Sequence, residues 1–257
     1  MDELAKQLAV CLIAGHIFGD FLFQSQKVAF RKHKIIVLFQ HTAIIVVTSY
    51  VLCGAWSRWE IPVILLVSHA LFDFIKATWA QRSLRGFMVD QTAHLTVIGI
   101  IVFGAIKPGD AVSLFWVNFW GEDYLRLLIL LAGAVATIKA GRLIIGMAVE
   151  PFLEQIRAYE QQSHPRSAGD ALPVSSGFET GGRVIGQLER ALIFLFVLAN
   201  QPAGIGFLIA AKSVFRFGEI KNQRHRMEAE YILIGTLMSF GYGILIAYAT
   251  KFFMGVI

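Results

Sequence analysis

The amino-acid sequence predicts an all-α protein, a polytopic transmembrane helical bundle of about eight spans. Its composition is 56% hydrophobic and only 16% charged, whereas an ordinary soluble domain has about 25% charged residues. Apolar stretches of bilayer-crossing length recur along the chain, separated by polar, Gly- or Pro-containing segments. A transmembrane barrel is disfavoured because its strands would alternate apolar and polar residues.

The apolar stretches define the predicted spans. Their bounds are Gln7–Phe23, Ile35–Trp56, Ile61–Trp79, Val89–Ile106, Leu125–Ala148, Val184–Asn200, Ile205–Phe217 and Tyr231–Phe252. The seventh is short enough to be re-entrant. The first contains His16 and Asp20 and lacks a small-residue cleavage site, so we expect a permanent helix rather than a signal peptide.

The basic residues indicate the topology. The net charge of +5 and the pI near 9.3 would also suit nucleic acid, but the basic residues stand between spans, and no nucleic-acid partner is expected. They concentrate in the odd-numbered connections, as Lys27, Arg31, Lys32, Lys34, Arg82, Arg85, Arg157, Arg166, Lys221, Arg224 and Arg226. The positive-inside rule therefore places these connections in the cytoplasm and both termini outside a bacterial inner membrane.

A long connection divides the chain. Residues 1–148 form the predicted N-terminal transmembrane half, and residues 183–257 form the C-terminal half. Between them, residues 149–182 comprise an amphipathic helix at Glu150–Gln162 and a turn-rich linker, both expected in the cytoplasm. Cys11 and Cys53 are the only cysteines, so the sequence contains no disulfide framework and no cysteine-type zinc motif.

Three predicted spans each carry a His and an Asp four residues apart. The pairs are His16 with Asp20, His69 with Asp73, and Asp90 with His94 in reversed order. Residues four apart share one helix face. The first and third spans run inward and the fourth runs outward, so the reversal puts all three carboxylates in one layer near the cytoplasmic surface. The three imidazoles then lie about 6 Å deeper.

The chemistry of these pairs favours a metal ion. Carboxylates and imidazoles are costly inside a membrane, and three carboxylates in one layer repel one another unless a cation lies between them. Neutral imidazole with carboxylate suits zinc first, with manganese or iron as alternatives and magnesium less favoured. With His41 of the second span, the predicted metal-binding set is His16, Asp20, His41, His69, Asp73, Asp90 and His94.

Seven donors exceed the needs of one four-coordinate ion. Either two metals bind, or some members orient the ligands or act as a base; the candidate catalytic carboxylates are Asp20, Asp73 and Asp90. Two other interpretations remain open. A hydrogen-bonded network could simply join the helices. Bis-histidine haem is less favoured, because an Asp one turn from each His is awkward beside the apolar ring.

Smaller signals complete the pattern. Gly15 and Gly19 have the small-xxx-small spacing that lets a neighbouring helix approach closely. In the second half, Arg190, Lys212 and Arg216 lie near the cytoplasmic ends of predicted spans, with Glu189 among them. They are either structural, as an ion-paired lock or as snorkelling anchors, or they bind the phosphate or carboxylate of a substrate.

Several motifs together resemble a known family. GHIFGDFLFQSQK, HALFDFIK, VDQTAH, GRVIGQLERALI, AAKSVFRF and EYILIGTLMSF, in this order, resemble the bacterial membrane proteins grouped as domain of unknown function 3307. The resemblance extends over nearly the whole chain and implies the same membrane architecture. The His/Asp pattern of the first half also looks like that of bacterial membrane-bound metal-dependent hydrolases. By position, that looser similarity implies metal-site roles for His16, Asp20, His69, Asp73, Asp90 and His94.

The sequence therefore favours a metal-dependent hydrolase of the inner membrane. A metal-activated water would attack an amphiphilic or lipid-linked anionic substrate at the cytoplasmic leaflet, with membrane lipid as the surrounding partner. The first alternative is a metal or proton-coupled transporter that uses the same residues as an ion site. The second is a non-enzymatic membrane scaffold with a structural metal.

Overall fold

The computed structural model describes residues 3–24, 34–79, 83–104, 112–163, 181–214 and 223–257. Helices account for most of these residues, and the described part of the chain contains no strand. The all-α prediction is therefore confirmed. The chain divides into two compact units, Met1–Ala136 with Thr250–Ile257, and Thr137–Ala249.

The first unit is built from the helices of the N-terminal part of the chain. These are α1 (Glu3–Ile17), α2 (Ile35–Cys53), α3 (Glu60–Trp79), α4 (Leu84–Gly104), the short α5 (Phe115–Trp120) and α6 (Glu122–Val135). A π-helical turn at Phe18–Leu22 continues α1, and a second one at Ala136–Ala140 follows α6. The short α5 was not predicted from the sequence.

Beyond the second π-helical turn the chain continues through the other unit. Its helices are α7 (Gly141–Ser163), α8 (Gly181–Leu198), α9 (Ala203–Val214) and most of α10 (Gln223–Val256), whose last turns belong to the first unit. The amphipathic segment predicted at Glu150–Gln162 is the C-terminal part of α7, which continues through Pro151. The predicted linker that follows lies almost entirely outside the described residues.

Five helical segments are long and apolar enough to cross a membrane, by length and composition. They are Glu3–Leu22, Ile35–Cys53, Leu84–Gly104, Glu122–Tyr159 and Arg226–Val256, with the shorter apolar segment Ala203–Lys212 beside them. The predicted third and sixth spans are also helices, α3 and α8, but do not belong to these five. A helical membrane protein is thus confirmed, while the count of eight spans stays a prediction.

Helix α1 is the centre of the first unit. Among the five candidate spans it is the most deeply packed, with 56% of its apolar window buried, and it contacts α2, α4 and α6. Leu8 and Leu12 of α1 are completely buried, as are Ile101 of α4 and Leu125 of α6. His16 of α1 is therefore removed from water, and its partners come from neighbouring helices.

Glycines let α2 lie directly against α1. A Cβ atom at Gly15 would come within 2.5 Å of the Ser49 Cα atom, and one at Gly19 would overlap the side chain of Ile45. This is the close helix approach that the glycine spacing predicts. It brings the end of α1 that carries His16 and Asp20 against the face of α2 that carries His41.

The first π-helical turn lies within the predicted polar region. The amide of Phe23 donates to the carbonyl of Phe18 at 2.9 Å, an i→i+5 hydrogen bond, and Asp20 lies inside the turn. π-Helical turns are rare in proteins, and those that are found lie frequently at functional sites. His16 and Asp20 are therefore not separated by one regular α-helical turn, although their sequence spacing predicts one.

Candidate metal centre

The four helices of the predicted constellation bring its side chains together. α1 and its π-helical turn supply His16 and Asp20, α2 supplies His41, and α3 and α4 supply the remaining four. All seven are buried, with exposed fractions between 1% and 7%: His16, Asp20, His41, His69, Asp73, Asp90 and His94. Two groups could each hold a metal ion, one of Asp20, His41 and His69 and the other of His69, Asp73 and His94.

The first group has the dimensions of a metal site. Asp20 Oδ1 lies 3.1 Å from His41 Nε2 and 3.8 Å from His69 Nε2, and the two imidazole nitrogens are 3.4 Å apart. A tetrahedral zinc ion with ligand bonds of 2.0–2.2 Å separates its ligand atoms by about 3.3–3.6 Å. Three donors on three helices thus lie close to the spacing that such an ion requires.

Asp73 lies beside the same histidines. Its Oδ2 atom is 3.5 Å from His41 Nε2 and 3.5 Å from His69 Nε2, and only 1% of Asp73 is exposed. Asp73 also belongs to the second candidate group, with His69 and His94. It is therefore a member of the second group that also lies next to two histidines of the first.

Asp90 and His94 differ from the other members in their hydrogen bonding. Asp90 Oδ1 and His94 Nε2 are fully buried, and in the described part of the chain neither has a hydrogen-bond partner. They lie 3.5 Å apart, which is longer than an ordinary hydrogen bond. Buried polar atoms are nearly always satisfied, so this pair needs a partner that the protein's described side chains do not supply.

Aromatic contacts fix the imidazole rings. The rings of His69 and His94 stack with centroids 4.0 Å apart, and Phe72 meets His94 edge-on at 5.5 Å. The His16 ring lies 5.3 Å from that of His94 and 5.9 Å from that of His69. The predicted histidine layer is thus a continuous group of rings in contact with one another.

Two residues support the centre without belonging to the predicted set. The Gln91 amide group donates to Asp20 Oδ2 at 3.0 Å and to Asp90 Oδ2 at 3.3 Å, and its Oε1 lies 3.2 Å from His16 Nε2. The Lys76 ammonium donates to Asp90 Oδ2 at 2.5 Å and lies 5.5 Å from the Phe87 ring centroid. Gln91 lies three residues before His94, so the two share a helix face. This spacing is the sequence signal from which Gln91 could have been added to the predicted set.

Comparison with known families covers this part of the chain. Residues 8–120 match the family model described as Protein of unknown function (DUF3307). We call residues 8–120 the DUF3307 domain after this match. The resemblance predicted from the sequence is confirmed over this stretch, whereas the motifs quoted from later in the chain lie beyond it. No match was found among curated proteins or among solved structures.

All seven predicted donors, together with Lys76 and Gln91, belong to the DUF3307 domain. Their chemistry fits a divalent transition metal, because neutral imidazole nitrogens and carboxylate oxygens lie together at ligand-to-ligand distances. Gln91 and Lys76 orient the carboxylates in the manner of the outer partners that metal ligands commonly have. The domain therefore contains a candidate metal centre.

The other predicted site residues lie outside the DUF3307 domain, in the second unit. Arg190 is buried and donates to the carbonyl oxygens of Thr137 at 3.0 Å and Ile138 at 3.3 Å, and to Ser239 Oγ at 2.8 Å. Lys212 pairs with Glu189 at 2.8 Å. Lys212 and Glu189 thus form an ion pair of the kind the sequence left open, whereas these hydrogen bonds of Arg190 go to neutral acceptors. Arg216 lies outside the described residues, and the substrate-binding role of all three stays a prediction.

Proposed function

We propose that the DUF3307 domain binds a divalent transition metal, zinc first, and uses it to hydrolyse an amphiphilic substrate in the bacterial inner membrane. One observation carries the proposal. Asp20, His41 and His69 come from three helices and present three buried donor atoms separated by 3.1–3.8 Å. Two of the three separations, 3.4 and 3.8 Å, are longer than ordinary hydrogen bonds and close to the spacing of two ligands of one ion.

The residues of the centre would divide into metal ligands and a proton acceptor. Asp20, His41 and His69 would hold the ion, and three protein ligands are the number that leaves a fourth position for water or substrate in catalytic zinc sites. A metal bound there would activate a water molecule and polarise the bond to be broken. A carboxylate oxygen that is not a ligand, from Asp20, Asp73 or Asp90, would accept the proton.

The surroundings favour a substrate with an apolar part. Helix α3, which carries His69 and Asp73, exposes Val67, Leu71 and Phe74 on its outer side, and the unit contains candidate membrane spans. A substrate reaching such a centre would approach from lipid. Under the proposed orientation, with both termini outside and residues 149–182 in the cytoplasm, the carboxylates face the inner leaflet.

The first test of this proposal is elemental analysis of the full chain, purified in detergent without a metal-binding tag and loaded with zinc. We expect stoichiometric zinc in the wild type and little in His69→Ala. His164→Ala, a histidine change in the predicted linker, should retain the wild-type content. Wild-type protein that holds no transition metal after loading would refute the proposal.

The second test separates the three functions that the sequence left open. Metal-loaded protein is incubated with vesicles of bacterial polar lipids, and released head groups and fatty acids are measured with and without chelator. Chelator-sensitive release that His41→Ala abolishes supports hydrolysis. Metal flux into sealed proteoliposomes without any release would indicate a transporter, and a tightly bound metal with neither activity would indicate a scaffold.

Orientation is tested separately by labelling single cysteines introduced at Ser176 and at Asp2 in a variant that lacks Cys11 and Cys53. The proposal expects Ser176 to react only from the cytoplasmic side and Asp2 only from the outside. Labelling of both positions from one side would overturn the orientation.

A further inference from the structure

The polar centre contains one pair of atoms that the proposed metal position does not use. We propose that Asp90 Oδ1 and His94 Nε2 form a second divalent-cation position, so that the centre binds two metal ions with Asp73 between them. This inference rests on the proposed function, because it assumes that the first ion binds at Asp20, His41 and His69.

The main argument is the hydrogen bonding of Asp90 Oδ1 and His94 Nε2. Both are buried, and neither has a hydrogen-bond partner in the described part of the chain. Asp20 Oδ1 and His41 Nε2 of the first position, by contrast, lie within 3.1 Å of each other. A carboxylate oxygen and an imidazole nitrogen left without donors are costly in a buried environment. One cation between them would satisfy both.

Distances support the same position. Asp90 Oδ1 and His94 Nε2 are 3.5 Å apart, within the range of about 3.3–3.6 Å expected for two ligands of one tetrahedral ion. His94 also belongs to a group with His69 and Asp73 whose donor atoms lie within 4.8 Å of one another. The second position therefore has the donors His94, Asp90 and Asp73, supplied by α3 and α4.

The ring of His69 is common to both candidate groups, but one imidazole nitrogen binds one ion. Asp73 does not have this restriction, because a carboxylate offers two oxygens and can bridge. Its Oδ2 atom already lies 3.5 Å from both His41 and His69. Paired metal ions in hydrolytic centres lie about 3.5–4 Å apart, a separation that one bridging carboxylate spans.

Lys76 orients the Asp90 carboxylate at the second position. Its ammonium group holds the outer oxygen of Asp90, Oδ2, at 2.5 Å, and Gln91 contacts the same oxygen at 3.3 Å. The inner oxygen, Oδ1, is the one left without a hydrogen bond beside His94. Because Lys76 offsets the charge of Asp90 from one side only, the carboxylate can still bind a cation from the other side.

The test measures metal number, using manganese alone as the probe. Wild-type full chain, stripped with chelator and titrated to saturation, should bind two Mn²⁺ ions per chain and give the electron paramagnetic resonance spectrum of a coupled pair. His94→Gln and Asp90→Asn should each bind one ion, with the spectrum of isolated Mn²⁺. His41→Gln should also lose one ion from the other position, and Asp73→Asn should weaken both.

The control is Thr96→Ala, which changes an exposed residue on α4 two positions after His94 and should keep both ions. Two independent variants at the second position guard against a folding defect in either one. A single ion in the wild type, or two coupled ions retained in both His94→Gln and Asp90→Asn, would overturn the second position and leave the proposed function intact. The absence of any bound ion would overturn both.

Discussion

Both units of the molecule contain buried ionisable side chains and a π-helical turn. The turn Phe18–Leu22 lies in the first unit, and all of the turn Ala136–Ala140 except Ala136 lies in the second. In the DUF3307 domain, the turn Phe18–Leu22 contributes Asp20 to a group rich in carboxylates and imidazoles. In the second unit, carbonyl oxygens of the turn Ala136–Ala140 accept hydrogen bonds from Arg190. A π-helical turn thus contributes a carboxylate to a buried group in one unit and accepts hydrogen bonds from a buried guanidinium in the other.

The difference lies in how completely each group is satisfied. The guanidinium of Arg190 has two carbonyl oxygens and the Ser239 hydroxyl as acceptors, so protein atoms alone stabilise it. In the centre of the DUF3307 domain, Asp90 Oδ1 and His94 Nε2 have no hydrogen-bond partner among the described residues. Arg190 is thus satisfied by protein atoms, whereas Asp90 Oδ1 and His94 Nε2 are the buried atoms for which a further partner has to be sought.

Replacing Arg190 tests the structural side of this comparison. Arg190→Met removes the donors of two buried acceptors and one partly buried acceptor, and each one left unsatisfied costs about 1–3 kcal/mol. We expect the variant to lose about 3 kcal/mol of stability or more, measured by denaturant unfolding in detergent, with unchanged metal content. Arg183→Met, an exposed arginine on the same helix, is the control. Normal stability combined with lost substrate turnover would instead assign Arg190 to substrate binding.

Asp73→Asn tests the ligand-binding side, because it keeps the side-chain shape and removes a carboxylate. Metal at about 100 times its Kd stabilises a protein by about 2.7 kcal/mol. We expect metal to raise the thermal unfolding temperature of the wild type but not of Asp73→Asn. In chelator the variant should be at least as stable as the wild type, because carboxylate repulsion is reduced.

The matched control for this second prediction is Asp123→Asn, which removes an exposed carboxylate of α6 that pairs with Arg126 at 3.4 Å. It should respond to metal as the wild type does. If Asp73→Asn is destabilised equally with metal and with chelator, the centre is a closed hydrogen-bond network like that of Arg190, and the contrast between the two units disappears.

Gln91→Ala tests the smallest expected effect, that of a residue which orients ligands without binding the ion. Loss of such outer partners typically lowers metal affinity by about 10–100-fold. We expect a fall of that size in a competitive titration with a chromophoric chelator, while saturating metal restores full occupancy. Thr92→Ala, the exposed neighbouring position, should keep the wild-type affinity. An unchanged affinity in Gln91→Ala would show that Asp20 and Asp90 are held without it.

The sequence predicted the helical membrane fold and the resemblance of the DUF3307 region because both depend on local patterns. Apolar stretches and His/Asp spacing are properties of a single helix. The role of His41 was less visible, since it has no Asp four residues away. Its place between Asp20, His69 and Asp73 follows from the close packing of α2 on α1. Lys76 stands one turn beyond Asp73 in the sequence, but its pairing with Asp90 requires the contact of α3 with α4.

By itself, then, the sequence determined which residues must avoid lipid and which helix faces carry them, because burying a carboxylate or an imidazole in a membrane is costly wherever it occurs. The tertiary structure decided which atoms meet. Donor distances of 3–4 Å depend on which helices approach one another and on the π-helical turn at Asp20. The glycine spacing of α1 predicts a close approach, but only the tertiary structure shows that α2 makes it. For the same reason, the acceptors of Arg190 are backbone carbonyls that side-chain patterns cannot reveal.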